Sequence, residues 1–337
     1  MADRALVFGR DHSVPLETLR IETSGYSRCP LPLKSVIRWI DRAAHLGVEH
    51  LCLKLESPTA AAVCRSIFSI RSLESLLITT SDNLGGRMNP FMWKACQELL
   101  RSHKALLPSD IVSTRLKSIS LRLNIDSADL TRLIGGLPVL EYLELRNIDQ
   151  DLIDISSLSV RTLELGCESG KIMKLCFPKL DRFHLTCEAN NLEMFHGEMP
   201  LVGKAGFTLR SPREVHALVL ESMLKSVANA VVLKLSIETS FHCEKTYLRC
   251  CEIQLSFPRL EYFKFSSRMC LLKLFQAEMP VLRKADIHLS DAKEEFVQPV
   301  SDFLKCIANV IYLKLNVLKT GPDRPVRPRT GHQSGLI

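Results

Sequence analysis

Two groups of residues in this sequence are of types that could do chemistry. The first is His184 with Cys187, three positions further on, which could act as a base and a nucleophile. Such a pair needs a third residue that orients the base, and no such residue is evident near it in the sequence. In a chain with 10 His and 12 Cys, a close pair arises readily by chance. We therefore predict that the protein is not an enzyme.

The second group is a set of four soft metal ligands within ten residues, His242-Cys243 and Cys250-Cys251. Adjacent ligands rarely both reach one ion, and structural zinc sites favour cysteines about two to four residues apart. The glycine pairs of the chain also lack the surrounding residues of a phosphate-binding loop. We predict no metal site and no cofactor.

The elements that would position a site follow a repeated strand pattern. Pairs of apolar residues separated by one residue recur at twelve places. A period of two puts each pair on one side of a strand and the intervening residues on the other. The pairs are Leu19/Ile21, Leu53/Leu55, Leu76/Ile78, Ile119/Leu121, Leu143/Leu145, Leu163/Leu165, Phe183/Leu185, Phe207/Leu209, Leu233/Leu235, Phe263/Phe265, Ile287/Leu289 and Leu313/Leu315.

The last third of the chain contains a duplication without gaps. Phe177-Pro178-Lys179-Leu180 returns as Phe257-Pro258-Arg259-Leu260, at an offset of 80 residues (257 − 177). Three strand signals lie in each copy, so the period is about 27 residues, within the roughly 20–29 residues of leucine-rich repeats. Such units bury their apolar faces against the next copy, and crossovers this short hold one strand and about two turns of helix or irregular chain.

The pattern therefore predicts an α/β leucine-rich-repeat solenoid, a horseshoe of about twelve repeats with a parallel concave sheet. A doubly wound α/β domain is the alternative, but it would need longer helices and a ligand-binding turn. The repeat domain is predicted to span 1–317, with edge strands at 16–21 and 310–317. Residues 79–111 are predicted to be an irregular insertion with a helix. Residues 318–337 are basic, without apolar periodicity, and predicted to be disordered.

Composition limits the class of partner and the compartment. The net charge is +7, of which the tail carries +3, and the remainder is too dilute for a nucleic-acid-binding surface. No apolar run has the length of a signal peptide or a membrane span. Most of the cysteines sit singly at wide intervals, for example Cys29, Cys52, Cys64 and Cys96, instead of forming a compact disulfide framework. This spacing favours reduced thiols in the cytoplasm or nucleus.

In the predicted solenoid, the residues between and beside the apolar pairs form the concave surface. Tyrosine and arginine there are typical of protein-binding hot spots, although tyrosine also favours half-exposed strands for its own sake. We predict a protein ligand on this face, with a contact patch that is acidic or polar around an apolar centre. The candidate binding residues are Tyr142, Glu144, Arg146, Glu164, Arg182, His184, Lys234, Tyr262, Lys264, Tyr312 and Lys314.

Three stretches resemble the repeat region of plant F-box/leucine-rich-repeat proteins. The longest, 115–148, contains Leu116-Lys117-Ser118-Ile119-Ser120-Leu121 and Leu137-Pro138-Val139-Leu140-Glu141-Tyr142-Leu143-Glu144-Leu145. The start, with Asp3-Arg4-Ala5-Leu6, resembles the segment that follows the F-box in that family. Trp39-Ile40 leading into 48–53 is also similar. The resemblance covers roughly residues 3–317, with Leu137 where the family usually has cysteine.

The resemblance implies a substrate receptor of a cullin-type ubiquitin ligase. No F-box pattern precedes the repeats, and the FBD-type region that closes the family's chains is not recognisable. We therefore expect binding to the cullin adaptor only if an F-box is supplied. The alternative is a stand-alone leucine-rich-repeat interaction protein, or an F-box-less competitor with no ligase role.

Overall fold

The computed structural model is a mixed α/β structure built around one large parallel sheet. It describes residues 16–22, 33–55, 63, 66–80, 113–122, 125, 127–148, 150–167, 170–188, 191–210, 217–238, 253–268, 275–290 and 297–318. Within these residues it has four helices and three sheets.

The main sheet has twelve parallel strands whose spatial order follows the chain, which is the order of a solenoid-like fold. The first and last strands form its two edges, as the repeat pattern predicted. The strands are β1 (Thr18–Glu22), β2 (His50–Leu55), β3 (Ser75–Thr80), β4 (Ser118–Arg122), β5 (Tyr142–Ile148), β7 (Thr162–Cys167), β9 (Arg182–Glu188), β11 (Lys204–Arg210), β12 (Val232–Glu238), β14 (Tyr262–Arg268), β16 (Lys284–Ser290) and β17 (Tyr312–Leu318).

Segments between these strands form a second layer. One part is strands: β6 (Leu152–Ser156), β8 (Ile172–Cys176) and β10 (Met194–Glu198) form a three-stranded parallel sheet, and β13 (Ile253–Ser256) pairs with β15 (Phe275–Glu278). The other part is the helices α1 (Leu33–His45), α2 (Ser127–Gly135), α3 (Ala217–Lys225) and α4 (Val297–Cys306).

The shortest crossovers of the main sheet contain a strand of the second layer, whereas longer ones contain a helix or, between β12 and β14, also a strand. From Leu143 to Leu163 the chain advances 20 residues and contains a strand, whereas from Ala205 to Leu233 it advances 28 residues and contains a helix. A strand rises about 3.3 Å per residue and a helix about 1.5 Å, so a strand crosses the sheet in fewer residues. The expectation of a helical or irregular turn in every crossover was wrong for the short ones.

The core lies between the main sheet and the second layer. Leu143 and Leu163 from the sheet and Met173 from β8 are fully buried. Four phenylalanines, Phe177, Phe207, Phe257 and Phe265, are the largest of the fully buried side chains. Removal of this apolar surface from water is the main stabilising contribution to the fold.

The strand register differs from the prediction in three strands. On β2 the pair predicted as Leu53/Leu55 is Leu51/Leu53, because Leu51 pairs with Leu19 and with Leu76. The pairs predicted as Phe207/Leu209 and Ile287/Leu289 are Ala205/Phe207 and Ala285/Ile287, because Ala205 pairs with Phe183 and Ala285 with Phe263. Both alanines are buried, at 3% and 0% exposure. In β11 and β16 the prediction was wrong because alanine is too small to stand out in an apolar pattern, although it packs well beneath larger neighbours. Each strand is therefore shifted by two residues.

Two predicted segments lie largely outside the described residues. β3 continues to Thr80, two residues into the predicted insertion 79–111, and 81–111 are not described. β17 ends at Leu318, one residue into the predicted tail, and 319–337 are not described. Among the described helices, none combines the length and apolar character needed to cross a membrane.

Candidate functional site

One face of the main sheet points away from the core, and we call it the open face. We define it by the first, third and fifth residues of the register on each strand, for example Tyr142, Glu144 and Arg146 on β5. All eleven predicted binding residues lie on this face, and they are contributed by β5, β7, β9, β12, β14 and β17.

On β4, β5 and β7, the charged side chains of the open face pair with one another. We call this part of the face the paired half: Ser120, Arg122, Tyr142, Glu144, Arg146 and Glu164. Register places Ser120, Glu144 and Glu164 side by side on successive strands, with Arg122 beside Arg146. Two cations and two carboxylates therefore face each other, and the group is neutral.

Glu144 is the centre of the paired half and is only 6% exposed. The Ser120 hydroxyl donates to its Oε2 at 2.6 Å, and Arg146 Nε donates to its Oε1 at 2.5 Å. Arg122 Nη2 adds a bond of 3.3 Å to Oε1. A buried carboxylate with this many donors is satisfied within the protein. Glu144, predicted as a binding residue, is therefore covered by its own neighbours.

Burial works to raise the pKa of Glu144, but the hydrogen bonds from Ser120 and Arg146 outweigh it and lower that pKa. Burial also raises the pKa of Tyr142, with the charges of Glu144 and Glu164 adding to the shift. The carboxylate is thus held charged and the phenol neutral. A charged Glu144 accepts hydrogen bonds from β4 and β5, and a neutral Tyr142 keeps its hydroxyl proton as a donor to Glu144, so both protonation states support the network that holds neighbouring strands together.

Gly166 on β7 explains how Arg146 reaches across the sheet. A Cβ added at Gly166 would lie 3.3 Å from Cγ of Arg146. The missing side chain leaves room for Arg146 to lie toward β7, where its Nη2 contacts Glu164 Oε2 at 3.4 Å. Asn147, which follows, has φ of 61°, and the register shifts there before Ile148 pairs with Cys167.

The open face changes character from β9 onward. We call this part the basic half, for its six cations: Arg182, Lys204, Lys234, Lys264, Lys284 and Lys314. Asp286 is the single acid at the same three positions of these strands. Among the described residues, none of the five lysines forms an ion pair, whereas Arg182 lies 3.6 Å from Asp181.

Two tyrosines hold one of these lysines in place. Lys284 Nζ lies 5.3 Å from the ring centre of Tyr262 and 5.2 Å from that of Tyr312, both within the range of cation–π contacts. The Tyr262 hydroxyl donates to Asp286 Oδ2 at 2.7 Å. Burial, with this bond and the aspartate charge, raises the pKa of Tyr262 to about 12. Tyr312 is 53% exposed and is the more accessible of the two.

A cavity of about 310 Å³ opens in the face where the two halves meet. Gly206 on β11 forms its floor, and register places His184 and Lys234 on either side of it. A Cβ at Gly206 would lie only 2.4 Å from His184 Nδ1, so the imidazole lies over the place of the missing side chain. Arg182, Lys204 and Glu164 line the rim. We call this the Gly206 cavity.

Of the two groups first considered for chemistry, the structure describes only His184 and Cys187, and it places them on opposite sides of the sheet. His184 points to the open face of β9, while Cys187 lies on the opposite, core side and is 4% exposed. Burial raises the pKa of Cys187 to about 12, so the thiol is not an available nucleophile. The metal candidate, 242–251, lies outside the described residues.

Sequence reasoning missed four residues of the basic half and its cavity: Lys204, Gly206, Lys284 and Asp286. The shifted register in β11 and β16 left out Lys204 and Lys284. Gly206 and Asp286 directly precede the predicted pairs, at positions predicted to be on the concave face, but they were not chosen as binding residues.

The missing signal for the register was the buried apolar residue three positions before each pair. Leu180 precedes Phe183 at this distance, as Val202 precedes Ala205 and Leu282 precedes Ala285. The offset of 80 does not decide the register, because the two copies carry the same apolar pattern in these strands.

Comparison with known proteins finds no family model, no curated protein and no solved structure that matches this chain.

Proposed function

We propose that this protein is a non-catalytic protein-recognition scaffold. In this proposal the twelve-stranded sheet is the concave sheet of a leucine-rich-repeat horseshoe, and the open face binds a protein ligand. The observation that carries the proposal is the basic half, where five strands in succession each place one lysine on the open face and none of these lysines has an ion-pair partner among the described residues.

The energetics of that arrangement favour a binding role. Like charges on adjacent strands destabilise a sheet, and Lys234 lies directly beside Lys264 in the register. The paired half shows that the same face can neutralise its own charges. Surface that lowers the stability of its own fold, and carries tyrosines beside it, is typical of surface that serves a partner.

The resemblance to F-box/leucine-rich-repeat proteins supports a more specific version of the proposal. The protein would then be the substrate-receptor part of a cullin-type ubiquitin ligase, acting in the cytoplasm or nucleus, and would bind the cullin adaptor only when an F-box is supplied. The alternative is a stand-alone interaction protein or a competitor. Binding assays with purified adaptor separate them. The receptor version requires a gain of adaptor binding when an F-box is fused before Met1, and stoichiometric binding without the fusion contradicts it.

The scaffold proposal is tested with the partner that the full chain captures from cell extract. Tyr262→Ala combined with Tyr312→Ala should weaken that complex by roughly 1–4 kcal/mol, the range of moderate hot spots. The matched control is Leu158→Ala combined with Leu201→Ala, which removes two exposed apolar side chains outside the open face. Equal affinities of the tyrosine variant and the parent would contradict a binding role for this face, provided that both melt at similar temperatures.

A further inference from the structure

The Gly206 cavity lies within a ring of nitrogen-bearing side chains. Lys204 precedes Gly206 by two residues on β11, Lys234 is its partner on β12, and His184 is its partner on β9. Neighbouring strands are about 4.8 Å apart, so these side chains border one opening, in which the His184 ring lies over the place that a side chain at position 206 would take. Glu164 is the one carboxylate in the lining, and Arg146 already contacts it at 3.4 Å.

We propose that the Gly206 cavity is an anion subsite that takes one carboxylate or phosphate group carried by a segment of a protein partner. This inference rests on the proposed function and names the chemistry that the open face recognises. Lys204 and Lys234 supply the two ammonium groups, and Gly206 lets the His184 imidazole lie against β11 beside them. Because neither lysine has an ion-pair partner among the described residues, binding an anion breaks no existing ion pair.

A peptide fits this site better than a nucleic acid does. Single-stranded nucleic acids bind through repeated phosphate contacts together with bases stacked on aromatic rings. The two tyrosines of the basic half already have Lys284 over their rings. The cavity is also a single opening bordered by the neutral network of the paired half. These features favour one anionic group on an extended protein segment.

His184 gives the site a second, pH-dependent property. Burial lowers the pKa of His184, the charge of Glu164 on β7 acts against that shift, and Arg146 on β5 and Lys234 on β12 add to it. With Lys204 on β11 and Arg182 on its own strand also cationic, the imidazole is neutral at neutral pH. An anion beside it favours the protonated form, so binding takes up a proton and tightens as the pH falls.

The test measures fluorescence anisotropy of three labelled peptides on the full chain. They alternate glycine with glutamate, with phosphoserine or with glutamine. We expect the glutamate and phosphoserine peptides to bind and the glutamine peptide to fail. Lys204→Gln with Lys234→Gln should weaken binding at least about tenfold. Lys174→Gln with Lys179→Gln removes the same charge from exposed lysines outside the open face and should change the affinity by less than about twofold.

A second pair of variants tests the geometry instead of the charge. Gly206→Ala forces the His184 ring to move and should weaken the glutamate peptide by about tenfold. Gly135→Ala, where an added Cβ meets nothing within 4 Å, is its control and should have no effect. The parent should bind the glutamate peptide at least about threefold more tightly at pH 6 than at pH 8, and His184→Gln should remove this difference.

Several outcomes would overturn the subsite. They are equal weakening by both lysine pairs, no binding of either anionic peptide, a flat pH profile in the parent, or tighter binding of a thymidine oligonucleotide than of both peptides. Preference for phosphoserine over glutamate identifies the group as a phosphate, and similar affinities identify it as a carboxylate. The tyrosine variants tested against the captured partner decide the scaffold proposal separately, so a failed subsite leaves that proposal standing.

Discussion

The paired half and the basic half share one sheet, one register and one face, yet they treat charge in opposite ways. In the paired half Glu144 accepts hydrogen bonds from Ser120 and from two arginines. In the basic half Lys234 and Lys264 are direct neighbours in the register, and neither forms an ion pair among the described residues. A sheet can therefore use its outward residues to stabilise itself or leave them available to bind another molecule.

The difference has a structural origin in side-chain size and reach. Arginine has several donors in a planar group, and Gly166 gives Arg146 the room to reach a second carboxylate. The basic half has lysines, which present one compact, strongly hydrated charge. Its one acid, Asp286, accepts from Tyr262 and forms no ion pair with the lysines that flank it. The comparison predicts that substitutions in the paired half affect folding, while those in the basic half affect binding.

The largest expected effect on stability is at Glu144. Glu144→Ala leaves Ser120 without its acceptor and removes the carboxylate that Arg122 and Arg146 share. We expect a loss of about 2–4 kcal/mol in the free energy of unfolding, measured by urea denaturation. Glu164→Ala is the control, because Glu164 is a third exposed and makes one 3.4 Å ion pair; it should cost less than about 1 kcal/mol. Equal losses of unfolding free energy in both variants would contradict the claim that Glu144 contributes more to stability than Glu164.

Acid should weaken the paired half specifically. Because the folded-state pKa of Glu144 is lowered, its contribution to stability is present above the unfolded-state pKa of about 4.3 and is lost as the pH falls through the folded-state value. The parent should therefore lose stability more steeply than Glu144→Gln below about pH 4. Urea midpoints measured across this range check the prediction, and parallel curves for the two proteins would contradict it.

The strand order of the main sheet was largely predictable from the sequence, because the same alternation of buried apolar residues recurs in one strand after another. Leu143, Leu163 and Phe183 mark strands that the apolar alternation identified directly. Ala205 and Ala285 were missed because a methyl group gives little hydrophobic signal. The second layer was harder to predict, since a strand such as β8 and a helix such as α3 both present short apolar runs. Crossover length separates them only in part, because the long crossover from β12 to β14 contains the strand β13.

The candidate site was predictable as a face but not as a set of interactions. All eleven predicted residues lie on the open face, since alternation alone decides which way a strand residue points. Alternation gives no sign that Glu144 is covered by its neighbours, because that depends on side chains from β4 and β7. Alternation also does not predict the Gly206 cavity. The cavity depends on the missing side chain at Gly206 and on the position of the His184 ring over it.

Tyr262 connects the two behaviours, because it belongs to the basic half but makes an internal hydrogen bond. Tyr262→Phe removes the donor to Asp286 Oδ2, while Asp286 Oδ1 already has no hydrogen-bond partner in the part of the chain that the structure describes. We expect a loss of about 1 kcal/mol in unfolding free energy, checked by thermal and urea denaturation. Tyr312→Phe should change stability little. Ultraviolet titration should also lose the phenol that ionises near pH 12, and its persistence in Tyr262→Phe would contradict the assignment.

The smallest expected effect is repulsion between neighbouring lysines in the basic half. Lys264→Gln removes one of two adjacent like charges and should raise the unfolding free energy by about 0.2–0.5 kcal/mol at low salt. The gain should disappear near about 1 M sodium chloride, because the Debye length there is only about 3 Å. Lys179→Gln, at an exposed turn position outside the sheet, is the matched control and should give no gain. If Lys264→Gln destabilises the fold at low salt instead, Lys264 contributes to the sheet as the paired half does, and the division between the two halves fails at that strand.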